Sequence, residues 1–218
     1  MKEPIRKCGV AAGAATAAFV LAAAPASAAP STVWTVSPAP SPVGVSATNS
    51  ANVVMLIELV RDDGIAVTCS RSSFSGGLRS ATGNPATVGT VDSFAFGAPG
   101  VPCSSVLGTM SFAPTTPWTL VARDHDASAG VTRGHLGDVD TRVTWGACVF
   151  RVRGSIPVTY TNATGRLNLA GTTGGLTVVS QTNCGEAAPV GASLIVKADY
   201  LLKKTGTATV PTIVGSHP

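Results

Sequence analysis

Short apolar stretches separated by Gly, Pro, Asn or Ser run along most of the chain after its first 50 residues. Stretches of this kind, rich in Val, Ile and Thr, are typical of β-strands joined by tight turns. No window shows the spacing of an amphipathic helix. We therefore predict an all-β protein, a single-domain antiparallel β-sandwich or closed β-barrel of about ten strands. Candidate strands in its second part are 86–97, 106–113, 117–122, 130–144, 147–153, 156–161, 165–169, 175–180 and 192–202.

One hairpin is indicated directly by its turn. An apolar stretch at 53–60 is followed by Arg61-Asp62-Asp63-Gly64 and then by a second stretch at 65–69. Asp-Gly between two apolar runs is a strong hairpin signal because both residues tolerate the backbone of a tight turn. The sequence therefore predicts two paired strands here.

The same signals divide the chain into segments. Residues 29–52 are predicted to be an extended segment leading into the domain, because three closely spaced prolines cannot donate to an internal sheet ladder. Residues 53–202 are predicted to form the all-β domain. Residues 203–218, which contain further Gly and Pro, are predicted to form a flexible C-terminal tail.

The N-terminus has the form of a secretory signal peptide. Three basic residues precede an apolar run over 9–24, and Ala26-Ser27-Ala28 supplies the small-x-small pattern of a cleavage site. The alternative is an uncleaved membrane anchor, but the run is shorter than the roughly 20 residues that a spanning helix needs. We predict removal of residues 1–28 and a secreted, extracellular protein without a membrane span.

Four cysteines follow the predicted cleavage site: Cys69, Cys103, Cys148 and Cys184. An even number of cysteines in an exported chain indicates disulfides. Three pairings are possible, and we favour Cys69–Cys103 with Cys148–Cys184 because they close two loops of similar length that do not interlock. Zinc is the competing use, but no C-x-x-C spacing is present.

The charge balance disfavours nucleic acid as a partner. The signal peptide takes three of the 15 Lys and Arg and one of the 11 Asp and Glu, so the mature chain carries 12 basic and 10 acidic residues. No cluster of Lys and Arg along the sequence indicates a phosphate-binding surface. We therefore predict no nucleic-acid binding, and either a cell-surface polymer or another extracellular protein as partner.

One polar cluster has part of the pattern of a calcium loop. Asp124, Asp126 and Ser128 supply oxygen atoms at alternate positions, as the opening of such a loop does. However, Ala129 occupies the position that needs Gly, and His135 falls where a bidentate Glu should close the site. The alternative is a charged turn between two strands. No other cofactor is predicted.

Aromatic residues give a second candidate site. Trp118 and Trp34 could stack on sugar rings at the surface, although aromatics in a chain that has few of them more often belong to the core. We take Trp118 as the candidate to be exposed because Thr116 and Pro117 indicate the edge of a strand.

Several motifs, taken together, resemble a group of exported actinobacterial proteins that has no assigned function. They are Trp34-Thr35-Val36, Val67-Thr68-Cys69, Phe94, Pro117-Trp118, Gly130-Val131, Gly134, Gly146-Ala147-Cys148, residues 160–165 and Cys184. The resemblance implies an all-β exported domain with these cysteines paired, and it implies no chemistry. In a bacterial protein, the sequon Asn162-Ala163-Thr164 is interpreted as a plain turn.

Three classes of function remain. The common hydrolase motifs, G-x-S-x-G, H-E-x-x-H and S-x-x-K, are all missing. We therefore predict no catalytic residues and favour a non-catalytic extracellular binding or structural module. A barrel that encloses a small apolar ligand is the second alternative, and a secreted hydrolase is the third.

Overall fold

The structure is a computed structural model that describes residues 31–58 and 64–216. The predicted signal peptide, 1–28, and the turn residues 61–63 lie outside the described residues. Residues 29–30, residues 59–60 of the predicted strand 53–60 and the last two residues of the predicted tail also lie outside them.

Sixteen strands and one turn of 3₁₀ helix make up the described part. The strands are β1 Val33–Ser37, β2 Val43–Asn49, β3 Val53–Ile57, β4 Ile65–Cys69, β5 Ser72–Leu78, β6 Ala81–Thr82, β7 Ala86–Phe96, β8 Cys103–Ser105, β9 Gly108–Pro114, β10 Trp118–Asp126, β11 Val131–Trp145, β12 Cys148–Thr161, β13 Arg166–Ala170, β14 Leu176–Thr182, β15 Leu194–Lys204 and β16 Thr212–Ser216. The 3₁₀ turn is Gly185–Ala187.

The all-β, antiparallel prediction is confirmed. Thirteen strands form one sheet, and additional strand pairings close parts of this sheet into rings. The order β12-β13-β15-β2-β5-β7-β10-β11 closes when β11 pairs with β12, so these eight strands form a continuous ring of backbone hydrogen bonds, which we call the first circuit. The predicted hairpin at 53–69 is also present, with Ile57 paired to Ile65.

A second circuit shares three strands with the first. From β11 the pairing continues through β9, β8, β4 and β3 to the beginning of β15. A single bridge between Thr177 and Ser193 links β15 to β14, which pairs with β12 and so returns to β11. The architecture is therefore a partly closed, sandwich-like arrangement in which the long strands β11, β12 and β15 belong to both halves.

The shared strands change direction where one circuit meets the other. In β11 the register shifts between Leu136 and Val139, and Asp138 there has a φ of 56°. Opposite this bulge, Gly154 of β12 has a φ of 145°. The sequence predicts separate strands at 147–153 and 156–161. The structure instead joins them into one strand, because Gly154 lets the backbone bend without ending the ladder.

The N- and C-terminal segments differ from the prediction. Residues 29–52 contain β1 and β2, and the predicted flexible tail from residue 203 contains the end of β15 and the whole of β16. A small sheet, β16-β1-β6, has no ladder pairing with the large one among the described strands, but it packs against it. The tail prediction is therefore wrong for residues 212–216, since β16 pairs along its whole length with β1.

Side chains of the first circuit hold β16 in place. The Asn162 amide donates to the carbonyl of Ile213 at 3.0 Å and accepts from its N–H at 2.8 Å. Thr132 donates to the same carbonyl at 2.6 Å, and the Tyr160 hydroxyl donates to the carbonyl of Pro211. Asn162 thus satisfies both backbone polar groups of Ile213, as a neighbouring strand would. This is the structural role of the first residue of the sequon.

Aliphatic and aromatic side chains fill both circuits. Inside the first circuit, a cavity bordered by Leu120, Tyr160 and Ile213 has a volume of about 10 Å³. A cavity in the second circuit, bordered by Phe112 and Val152, is of the same size. Each has room for about one water molecule, so neither holds a small organic ligand.

The predicted disulfides are both present. Cys69 is bonded to Cys103, and Cys148 is bonded to Cys184. Each closes a loop of similar length, and on the chain-entropy model each adds about 4 kcal/mol to the free energy of unfolding. Disulfides of this kind are typical of an oxidising, extracellular environment. In the residues that the structure describes, no helix has the length and apolar character needed to cross a membrane.

Gly154→Ala tests the bend in β12. A Cβ at this position would lie 2.0 Å from the carbonyl oxygen of Gly175, and the φ of Gly154 is unfavourable for alanine. We expect the free energy of unfolding to fall by at least about 2 kcal/mol, measured by urea denaturation. Gly77→Ala is the control, since its Cβ would approach only the carbonyl oxygen of Val43, at 4.0 Å. Equal stability of the two variants would contradict this account.

Candidate functional site

A charged cluster lies on the outer face of the second circuit. Arg151 donates two hydrogen bonds to the carboxylate of Asp140, one from Nε to Oδ1 and one from Nη2 to Oδ2, both at 2.6 Å. Arg153 Nε donates to the Oδ2 of Asp140 at 2.9 Å. Asp140 is mostly buried, with 16% of its side chain exposed, whereas the two arginines reach solvent. One carboxylate therefore orders two guanidinium groups.

The β11–β12 hairpin brings these residues together. Trp145 and Cys148 pair across a two-residue turn at Gly146, and the register then places Arg142 opposite Arg151 and Asp140 opposite Arg153. Residues at alternate positions face outwards, because apolar residues between them are buried in the core. The disulfide of Cys148 fixes the turn end of this hairpin to Cys184.

Two open clefts lie on this face, one on either side of Arg151 and Arg153. The first, which we call the basic groove, has a volume of about 300 Å³. Its lining residues are Thr115, Arg142, Val149, Phe150, Arg151, Ser180, Gln181 and Thr182. The second, which we call the acidic cleft, has a volume of about 400 Å³ and is lined by Asp138, Val139, Asp140, Arg153 and Gly154. The clefts thus carry opposite charge along one strand pair.

The cluster shifts the ionisation of its members. Hydrogen bonds from Arg151, and then from Arg153, hold the pKa of Asp140 below its ordinary value, although burial opposes the shift. The same hydrogen bond raises the pKa of Arg151. Asp140 therefore remains a carboxylate at any pH near neutrality, and its negative charge holds Arg151 in place.

The calcium candidates lie in the β10–β11 turn. Asp126 Oδ1 accepts from the N–H and the hydroxyl of Ser128, at 3.1 and 2.7 Å, and from the N–H of Ala129 at 3.0 Å. These bonds lower the pKa of Asp126, the Ser128 hydroxyl most. Asp124 is paired with Arg133 at 2.8 Å. These contacts match the charged-turn alternative, and calcium at these residues stays a prediction.

The tryptophan candidates are both buried. Trp118 is 1% exposed, its ring lies 4.9 Å from that of Phe94, and its Nε1 donates to the carbonyl of Thr115 at 3.0 Å. Trp34 is fully buried, and its Nε1 donates to the carbonyl of Gly83 at 2.9 Å. The prediction of an exposed Trp118 is wrong, because this residue lies on the inward face of β10 and its ring packs against Phe94. Neither ring can stack on a ligand at this surface.

The two described histidines have no carboxylate partner. The hydroxyl of Thr132 donates to Ile213, so the Nδ1 of His125, 2.9 Å from that hydroxyl, must donate to it. His135 has a buried Nδ1 without a hydrogen-bond partner in the described part of the chain. Burial, and then the charge of Arg123, lowers the pKa of His135. Neither histidine is oriented as the general base of a nucleophilic site.

Metal ligands are not grouped in the described residues either. Across 31–58 and 64–216, no three His, Cys, Asp or Glu side chains lie close enough together to hold a metal ion.

Sequence reasoning missed the arginine–aspartate cluster. Its signal is present, since charged residues alternate with apolar ones on both sides of the turn at Gly146. Counting outwards from that turn places Arg142 beside Arg151 and Asp140 beside Arg153. The charges of this cluster are not neighbours along the sequence, since the cluster forms across a hairpin.

Comparison of the chain with protein-family models, with curated proteins and with solved structures finds no match. The resemblance to exported actinobacterial proteins stays a prediction. The geometry of the site is therefore the basis of the proposed function.

Asp140→Asn tests the charged cluster. Because the pKa of Asp140 is depressed in the folded protein, its contribution to stability is present above about pH 3.9, the ordinary value of Asp, and is lost as the pH falls through the folded value. We expect the variant to lose about 1 kcal/mol of unfolding free energy at pH 7, measured by urea denaturation. The difference from the wild type should shrink on acidification below pH 3.9.

The matched control is Asp92→Asn, which removes an exposed carboxylate that makes no ion pair with any described residue. It should leave stability at pH 7 nearly unchanged. If Asp140→Asn behaves in the same way as this control at pH 7, Asp140 does not order the two arginines.

Proposed function

We propose that the mature protein is a secreted, non-catalytic binding module for a cell-surface polymer, and that the polymer binds along the outer face of β11 and β12. The observation that carries this proposal is the pair of open clefts on either side of the Asp140–Arg151 pair. Both openings follow the same strand pair, so they offer room for more than one repeat unit of an extended polymer.

The site has the chemical features of a preformed binding surface. Thr115, Ser180, Gln181 and Thr182 line the basic groove, and the Oε1 of Gln181 is held by the N–H of Cys184 at 3.1 Å. Hydroxyl and amide groups on strands can hydrogen-bond to a ligand without first ordering a loop. The ladder between β11 and β12 and the Cys148–Cys184 disulfide support this rigidity.

The other two classes of function have less support. A barrel that encloses an apolar ligand needs internal space, and the two interior cavities hold about 10 Å³ each. A hydrolase needs a base that is oriented beside a nucleophile, and neither His125 nor His135 has this arrangement. Binding at the outer surface is the alternative that these contacts favour.

Secretion is part of the proposal. The N-terminal sequence pattern supports export, and the two disulfides are consistent with it because they persist in oxidising compartments. An extracellular module with an exposed polar groove would meet cell-wall or capsular polymers directly.

The test is retention of the oxidised mature protein on insoluble cell-wall material and on a panel of insoluble polysaccharides. Ser180→Trp fills the basic groove without changing its charge, and we expect it to lower retention at least tenfold. Ser46→Trp is the control, because it places the same side chain at an exposed strand position of the first circuit.

Retention that is lost in Ser180→Trp and kept in Ser46→Trp would support the proposed face. Two outcomes would contradict it. The first is that both variants bind as the wild type does, and the second is that the wild type is retained on none of the materials. Unfolding midpoints of both variants, measured in parallel, separate loss of the groove from loss of the fold.

A further inference from the structure

We propose that the basic groove selects anionic polymers, and that Arg142 and Arg151 bind a carboxylate or phosphate group carried by the polymer. This inference rests on the proposed function and names the class of its ligand. It depends on how the charges of the β11–β12 face are distributed between the two clefts.

Arg142 is the unpaired member of the cluster. It is exposed, lines the basic groove and makes no ion pair with any residue that the structure describes. Its neighbour across the strand pair is Arg151, another cation. Like charges opposite each other on a sheet are destabilising, so this pair gains from any anion that enters between them.

The acidic residues of this face do not supply a counter-charge for Arg142. Asp140 is the nearest acidic position, and its oxygens are taken by Arg151 and Arg153. Asp138 lies in the acidic cleft, and its Oδ2 accepts from the hydroxyl of Thr119 at 2.8 Å. The lining of the basic groove contains no Asp or Glu. Of the two cations that line this groove, Arg151 is paired with Asp140, and Arg142 has no counter-charge among the described residues.

The contact between Asp140 and Arg151 shows what kind of anion fits. Two parallel hydrogen bonds join a carboxylate to one edge of this guanidinium, which leaves its Nη1 for a second partner. An oxyanion in the groove can bind Arg142 in the same forked manner and accept from Nη1 of Arg151. The hydroxyls of Thr115 and Ser180 and the amide of Gln181 line the same space and can bind the neutral parts of the polymer.

The carboxylate of a uronic acid and a phosphate of a phosphate-bearing polymer offer the same chemistry, so the experiment uses both. The full mature protein is passed over beads that carry polygalacturonate, beads that carry polyphosphate and neutral cellulose, at 50 and 500 mM NaCl. We expect retention on at least one anionic material that falls at least tenfold at the higher salt concentration.

Arg142→Ala should lower retention on that anionic material about tenfold, and Arg142→Lys should restore only part of it, since an ammonium cannot make the forked contact. Arg166→Ala is the control, because it removes the same charge from an exposed strand position on β13. Because Arg142 is exposed and faces another cation, its replacement should not lower the unfolding midpoint.

The outcomes distinguish the selection of anionic polymers by the basic groove from the more general proposal of polymer binding. Retention on polygalacturonate alone identifies carboxylate as the anion, and retention on polyphosphate alone identifies phosphate; both support the inference. Equal loss in Arg142→Ala and Arg166→Ala would overturn it, because the effect would be one of net charge. Retention on cell-wall material that depends on Ser180 but not on Arg142 would also overturn it while leaving the proposed function intact.

Discussion

The backbone ladder between β11 and β12 is the interaction on which the rest of the structure depends. Among the described strands, it is the one pairing that both circuits need in order to close: β10 and β13 continue from one end, and β9 and β14 from the other. A ladder of this length must bend to serve two curved halves. Asp138 and Gly154 provide that bend on opposite strands. Closure in turn protects strand edges that a flat sheet of Gly- and Ser-rich strands would expose.

Much of the fold could be predicted because its signals are local. The short apolar stretches between turn residues, the Asp-Gly turn and the cysteine spacing predict most strands, one hairpin and both disulfides. The strands β2 and β5 were missed because their outward positions are Gly, Ser and Thr, which look like loop residues when the apolar face is not known. Trp118 was taken as exposed because Pro117 indicates an edge. In fact the proline precedes β10, and the indole ring enters the core behind it.

The site could be predicted less well, for a physical reason. Its members are separated by a turn and come together only when the register of the hairpin is fixed. A shift of β12 by one residue against β11 would turn Arg151 inwards and expose Phe150, so burial of the apolar set decides which charges meet at the surface. The same packing that fills the interior therefore creates the charged face. A protein with little internal space can bind ligands mainly on the outer faces of its strands.

The Asn162 contact with β16 has a consequence for how the protein can be produced. Asn162-Ala163-Thr164 is an acceptor sequence for N-linked glycans in the eukaryotic secretory pathway, where the sugar is attached to the side-chain amide. That amide nitrogen donates to Ile213 in the folded protein, and a glycan on it would occupy the place where β16 docks. A bacterial host leaves Asn162 free to fold against the C-terminal strand. In a yeast or mammalian secretion host, a glycan at Asn162 would disturb this one contact, and β16 would depend on Thr132, Tyr160 and its pairing with β1.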